Sequence, residues 1–239
     1  MGNSFCDFLA WDSEFFGVRI ARLKTRRLRP SDLEDARNWC QRERIACLYF
    51  LAQSGDSETI RLAEESGFCM TDQRITFARN LNGGTAPPGD PIRPSVESDI
   101  PALAAIARRS YRDSRFYFDP HFAKSRCDDL YAVWIEKSCA GWAQRVFVAE
   151  VEGEIAGYCS CHLTPADAGS IGLLAVAPAW GGRGLGSKLV TSALAYFDSH
   201  QATRVTVATQ GRNVAAHRLY QGAGFVPDAV EIWYHKWFD

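Results

Sequence analysis

Short apolar runs and amphipathic stretches alternate along this chain, and their spacing predicts strands and helices in mixed order. Residues 18–23 are apolar and alternating, as a strand requires. Residues 30–44 follow with helical spacing, with Ser31 placed as N-cap and acidic Asp32, Glu34 and Asp35 in the first turn. Residues 47–52 form a short buried-type run, 57–65 read as a helix, and 74–78 return as a strand. Farther along, residues 98–111 carry Ile100, Leu103, Ala104, Ile106 and Ala107 on one side, and residues 128–139 repeat the period with Leu130, Tyr131, Trp134 and Ile135. Residues 146–151 and 155–162 flank Glu152-Gly153-Glu154, a hairpin with its turn glycine. A strand over 170–176 leads into a glycine cluster. Beyond it, Leu185, Leu189, Val190, Ala193, Leu194 and Phe197 make one face of a helix over 185–197. A strand at 204–209, a helix at 214–222 and a last strand at 229–237 complete the chain.

The one clear break in this alternation is the glycine- and proline-rich stretch 82–92, which reads as a linker. It divides the chain into an α/β half over 1–81 and a second α/β domain over 93–239. An internal echo relates the two: Glu65-Ser66-Gly67-Phe68 closes a helix before a strand, as Gly222-Ala223-Gly224-Phe225 does later. The first half lacks any counterpart of the glycine cluster, so the chemistry is expected in the second.

Composition narrows the function classes. With 46% hydrophobic and 23% charged residues, the 239-residue chain is an ordinary globular protein with length for a substantial core. A net charge of −1 argues against a nucleic-acid binder. The 8 cysteines are scattered through apolar segments, which fits reduced core thiols better than a disulfide framework. Cys159-Ser160-Cys161-His162 lacks a second cysteine pair at zinc spacing, so no metal site is expected. No run approaches the ~20 apolar residues of a membrane span, and no basic region precedes an apolar leader. A cytoplasmic location is the expectation.

The candidate chemistry sits at 173–187, LLAVAPAWGGRGLGS. Gly181, Gly182, Gly184 and Gly186 leave backbone N–H groups unshielded just ahead of a helix N-terminus, where the dipole favours an anion such as a pyrophosphate. Gly186-Ser187-Lys188 inverts the order of a Walker A loop, and a dinucleotide fingerprint is not met in register. What fits is a strand, Pro178, Trp180, Gly182-Arg183-Gly184-Leu185-Gly186, a helix, a strand, then Asn213, Ala216, Leu219, Tyr220, Gly224 and Phe225 at fixed spacing.

That order, over about residues 93–239, resembles the GNAT superfamily of acyl-CoA N-acyltransferases. The resemblance implies a mixed α/β sheet splayed at its centre around acetyl-CoA, preceded here by a degenerate half-domain of the same kind. Gly181 stands where the family has glutamine or arginine. Residues 11–17 (WDSEFFG), Ser114-Arg115-Phe116, 171–175 and 207–216 extend the resemblance to family members that N-acetylate a 4-amino-4,6-dideoxyhexose on a dTDP carrier for bacterial surface polysaccharide. The implied acceptor is a nucleotide-linked amino sugar. Alternatives are another small amine, an aminoglycoside or a peptide N-terminus, and, in another class, a non-catalytic acyl-CoA-binding module.

By the resemblance, Gly181, Gly182, Arg183, Gly184, Leu185, Gly186 and Ser187 hold the pyrophosphate. The backbone of Leu174, Ala175 and Val176 meets the pantetheine arm, and an amide near Ala175 or Val176 polarises the thioester carbonyl. Asn213 is suited to N-cap a helix and, in the family, also meets that arm. Tyr220 is the candidate general acid, since a phenol is protonated at neutral pH, although it shares a helical face with Ala216 and Leu219 and could simply pack. For the acceptor, Arg115 suits a nucleotide phosphate, Phe116 or Tyr117 a base, and Asp119 or His121 the amine's proton, with a water chain as the alternative. His162 and His217 read as ordinary strand and helix residues. A homodimer through strand pairing at 230–234 is a further expectation.

Overall fold

The structure is a computed structural model that describes residues 5–81, 83, 89, 91–164 and 167–238. Most of the predicted linker, including 84–88, lies outside the described residues. The chain forms two compact units that are discontinuous in sequence: one takes residues 1–74, 113–123 and 230–239, the other 75–112 and 124–229.

The first unit contains β1 (Cys6–Phe8), α1 (Ala10–Phe16), β2 (Ile20–Leu23), α2 (Pro30–Arg42), β3 (Cys47–Gln53), α3 (Ser57–Glu65) and the first half of β4 (Cys69–Asn80). It also takes most of the last strand, β10 (Val226–Trp237). Strand order is β1-β2-β3-β10-β4. β2 and β3 run parallel, and β10 pairs antiparallel with β3 from Glu231↔Gln53 to Trp237↔Cys47. β10 therefore has a neighbour on each side, β3 and β4, and no free edge through which 230–234 would pair across a dimer. That expectation is corrected: this strand is interior, not an edge. Phe50, Tyr234, Phe68, Trp39 and Ile45 fill the core.

The N-cap of α2 is Arg29, not Ser31. Pro30 takes the first helical position, where its missing N–H costs nothing. The Asp32 carboxylate then reaches back to accept from the Arg29 backbone N–H at 2.9 Å and from its guanidinium. β4 begins at Cys69, five residues before the predicted strand, because Thr71 and Asp72 are polar at buried positions and erase the apolar period.

The second unit contains β5 (Ile92–Pro94), α4 (Ile100–Arg109), α5 (Lys124–Lys137), β6 (Arg145–Val151), β7 (Glu154–Thr164), β8 (Ala168–Val176), α6 (Leu185–Ser199), β9 (Arg204–Gln210) and α7 (Val214–Gly222). Its strand order is β4-β9-β8-β7-β6-β5, mixed as expected: β7 pairs antiparallel with β6 and β8, while β8 and β9 are parallel. The predicted apolar face of α6 is buried in full. Removing Leu189, Leu194 and Phe197 from water stabilises the unit by ~1.5–3 kcal/mol each. α6 can lie directly on β8 because Gly169 carries no side chain; a Cβ there would sit 2.5 Å from the Phe197 ring. This contact sets the height at which the helix, and the loop feeding it, meet the sheet.

Candidate active site

In the second unit β8 and β9 pair only from Ala168↔Arg204 to Ile171↔Val207. Beyond that point β8 continues to Val176 and β9 to Gln210 without pairing to each other, so the sheet is splayed at its centre, as the sequence implied. On its other edge β8 remains paired with β7, through Cys159↔Leu174, Tyr158↔Ala175 and Gly157↔Val176. The Leu173 N–H donates to Ser160 Oγ at 2.8 Å and the Ala177 N–H to the Ala156 carbonyl at 2.8 Å, both toward β7. Strand alternation then turns the Ala175 N–H the same way, and the Leu174 and Val176 N–H groups toward the side that β9 has left. Backbone donors and acceptors on that side do not pair with β9.

The strand ends in a 3-10 turn, Pro178–Trp180, and the glycine cluster follows. Gly182 and Gly184 adopt φ of 74° and 76°, which disfavour any side chain, and nothing lies within 4 Å of where their Cβ atoms would be. Residues 181–184 are exposed. Gly184 caps the 15-residue α6. The first amide taken up within the helix is that of Lys188, by the Gly184 carbonyl at 3.1 Å, which leaves those of Leu185, Gly186 and Ser187 facing the loop. Arg183 lies over the Trp180 ring, 4.7 Å from its centroid. Gly181 is extended, and a Cβ there would press on the Pro178 carbonyl at 3.3 Å.

α7 brings Asn213 and Tyr220. Asn213 is the N-cap, its Oδ1 accepting from the Ala216 N–H at 3.1 Å, which leaves its NH2 group for another acceptor. Tyr220 is 5% exposed, packed beside Phe225 and Phe77. Burial, and secondarily the nearby Cys159, push its phenol well above 10, so it holds its proton at any physiological pH. The nearby Cys159 is the register partner of Leu174 on β8.

Two tyrosines that the sequence did not single out join this region. Tyr158, opposite Ala175, shares a hydroxyl–hydroxyl hydrogen bond of 3.0 Å with Tyr111, and Tyr111 stacks on Tyr131 at 4.3 Å. Tyr111 has φ of 57°, a left-handed backbone unusual for a bulky residue. Neither belongs to a local motif, so no spacing could have marked them.

The candidate acceptor residues fall in the first unit, on the segment 113–123. Asp119 is 3% exposed and its carboxylate accepts four donors: His235 Nδ1 at 2.5 Å, Trp237 Nε1 at 2.9 Å, the His121 N–H at 3.0 Å and His121 Nδ1 at 2.8 Å. Burial opposes its charge, but these donors win and hold it well below the usual carboxylate range. A carboxylate so held is an anchor for its loop rather than a base. His121 is exposed and stacks on Trp237 at 4.4 Å. Arg115 Nη1 meets His235 Nε2 at 2.6 Å, and its guanidinium lies over Tyr49, Phe116 and Trp233 at 4.1–4.3 Å. Tyr117 is half-buried and donates its backbone N–H to the Ser114 carbonyl at 3.0 Å. His235, Trp237 and Tyr49 were not foreseen as partners, since each reads as an ordinary strand residue.

Comparison with known proteins identifies the family and the fold. The pattern of the acetyltransferase (GNAT) family matches residues 103–225. The chain is 29% identical over 231 residues to the dTDP-fucosamine acetyltransferase of Escherichia coli O6:H1 strain CFT073, covering 95% of this chain and 96% of that protein. It is 30% identical over 151 residues to the spore coat polysaccharide biosynthesis protein SpsD of Bacillus subtilis strain 168, covering 63% of this chain and 52% of that one, so it spans about half the length of SpsD. Among solved structures, a GCN5-related N-acetyltransferase from Sphaerobacter thermophilus superimposes with a TM-score of 0.68 at 17% identity, over 97% of this chain and 76% of the other. At that identity the likeness concerns the fold alone.

Proposed function

The chain belongs to the acetyltransferase (GNAT) family, and on that premise we propose that it transfers an acetyl group from acetyl-CoA to the amine of a sugar carried on a nucleotide, of the dTDP-4-amino-4,6-dideoxyhexose type. The observation that carries the reaction is the parting of β8 from β9 beside an exposed glycine loop and a buried, protonated tyrosine. The acceptor is supported by the likeness, over nearly the full length of both chains, to a dTDP-fucosamine acetyltransferase. The relative named for spore coat polysaccharide biosynthesis supports a role in cell-surface polysaccharide.

The donor set of the second unit suits acetyl-CoA. The amides of residues 181–187, at the positive end of α6, present an N–H cradle of the kind that binds a pyrophosphate. The backbone of Leu174 and Val176, on the unpaired side of β8, suits an extended pantetheine amide chain, and the free NH2 of Asn213 adds a donor. Acetyl-CoA supplies the thioester, whose acyl carbon accepts the amine as the C–S bond breaks. Of the N–H groups facing the parted strands, that of Val176 is the one we assign to the acyl oxygen. Tyr220 Oη gives its proton to the departing sulfur, a role its raised pKa favours over ionisation. The amine must arrive unprotonated and lose a second proton. Asp119 is already taken up by four donors, so that proton passes to water or to the exposed His121 ring.

No helix among the described residues is long and apolar enough to cross a membrane, and a reaction that draws on acetyl-CoA and a nucleotide sugar suits the cytoplasm. CoASH release from acetyl-CoA by the purified protein, measured across a panel of amines, tests the reading. A marked preference for dTDP-linked amino sugars is expected. Equal rates with unrelated small amines would shift the acceptor class, and release no faster than hydrolysis with every amine would make the chain an acyl-CoA-binding module.

A further inference from the structure

The first unit holds an arginine whose guanidinium is fixed in place by its neighbours. Asp119 Oδ2 accepts from His235 Nδ1, which fixes the imidazole tautomer and leaves Nε2 bare to accept from Arg115 Nη1 at 2.6 Å. Burial keeps His235 neutral, its pKa lowered to about 4. The ring faces of Tyr49, Phe116 and Trp233 close around the guanidinium at 4.1–4.3 Å. Of the five N–H donors of Arg115 one is used, and among the described residues no carboxylate pairs with it.

Among the described residues one buried hydroxyl against it and another on the neighbouring residue are also unsatisfied. Tyr49, whose ring is in contact with the guanidinium, is 0% exposed and its Oη has no hydrogen-bond partner. Ser114, the preceding residue, is 1% exposed and its Oγ has none either. Buried polar groups are nearly always paired, and a half-buried cation with spare N–H donors and an unpaired hydroxyl on the ring beneath it fits a ligand rich in acceptor oxygens. Two carboxylates act here: Asp119, whose charge is already met by four donors, and Asp12, whose charge is felt at the Tyr49 hydroxyl beside the Arg115 guanidinium.

We propose that Arg115, with the hydroxyls of Tyr49 and Ser114, forms a phosphate subsite of the first unit that takes the diphosphate of the acetyl acceptor. The inference rests on the nucleotide-linked acceptor proposed above and gives the first unit a binding role of its own. His235 and Asp119 are then positioning residues, acting through Arg115.

Calorimetric binding of dTDP, inorganic pyrophosphate and thymidine to the full chain tests it, with CoA at saturation so that the glycine loop is occupied. dTDP is expected to bind, pyrophosphate to compete with it, and thymidine to bind at least ~10-fold more weakly. Arg115→Gln should weaken dTDP by at least ~10-fold. Tyr49→Phe should weaken it by about 3- to 10-fold without lowering Tm, because it deletes a hydroxyl that no partner in the fold requires. CoA affinity should be unchanged in both variants. Thymidine binding as tightly as dTDP, no dTDP binding to the CoA-saturated protein, or a folded Tyr49→Phe and Arg115→Gln with wild-type dTDP affinity would each overturn the subsite. Failure of CoA itself to bind would instead remove the acetyltransfer reading, and the dTDP measurements would still judge Arg115.

Discussion

The glycine loop of the second unit and the arginine cluster of the first, each proposed to hold an anion, are built by opposite means. The loop offers backbone N–H groups, exposed and stripped of side chains, at φ values that disfavour substituted residues. The cluster offers side chains from β3, the 113–123 segment and β10, buried or half-buried and ordered by one another. A backbone cradle tolerates changes of side chain around it but not of glycine. A side-chain cluster depends on each partner, since losing one leaves another buried and unpaired. That difference is what substitution should expose.

The largest effect is expected at neither, but at the group proposed to protonate the departing sulfur. Tyr220→Phe keeps the packing against Phe77 and Phe225 and removes only the phenolic hydroxyl. Turnover should fall by about 10²- to 10⁴-fold, with the KM for acetyl-CoA within about twofold of wild type. A wild-type turnover number in steady-state CoASH release would show that Tyr220 merely packs.

How much of this was legible in the sequence follows the same division. Elements whose apolar residues keep their period were read nearly to their ends, as with α6, α7 and β9. The glycine loop was legible because backbone chemistry is local: four glycines, a strand before and a helix after. Where polar residues occupy buried positions the reading failed, as at Thr71 and Asp72 in β4. The exposed turn Lys124-Ser125-Arg126 likewise hid the start of α5. β1 and β5, at 3 residues each, carry too little pattern to register. Arg115, Asp119 and His121 were marked by residue type, but their organising partners were not. His235 and Trp237 lie more than a hundred residues downstream and meet Asp119 only through the fold.

The cluster predicts a stability loss next in size. Asp119→Ala strands His235, Trp237 Nε1 and two His121 donors, and should cost on the order of 3–5 kcal/mol in denaturant unfolding. Acid should act on the same cluster without mutation. His235 takes a proton near its ordinary 6.5 when unfolded but only near about 4 when folded, so between those values the unfolded chain binds more protons. Its contribution is fully present above about pH 6.5 and is lost as pH falls toward 4, by up to about 3 kcal/mol. The lowered pKa of Asp119 adds a loss of the same sign at still lower pH. In His235→Gln the slope of stability against pH over 4 to 6.5 should flatten. An unchanged slope would place the titrating group elsewhere.

The smallest effect belongs to the backbone cradle, and it sharpens the contrast because strain and recognition separate there. Gly184→Ala adds a methyl into open space, since nothing lies within 4 Å of the Cβ position, so packing is not disturbed. The cost is the left-handed backbone at φ 76°, roughly 1–2 kcal/mol for an alanine, which falls on stability if the loop keeps its shape. If the loop relaxes instead, the amides of Leu185, Gly186 and Ser187 lose their common aim, and the KM for acetyl-CoA rises several-fold with kcat nearly unchanged. Either outcome leaves dTDP binding at Arg115 untouched. A drop in kcat at unchanged KM would mean that the loop serves the chemical step as well as the grip on pyrophosphate.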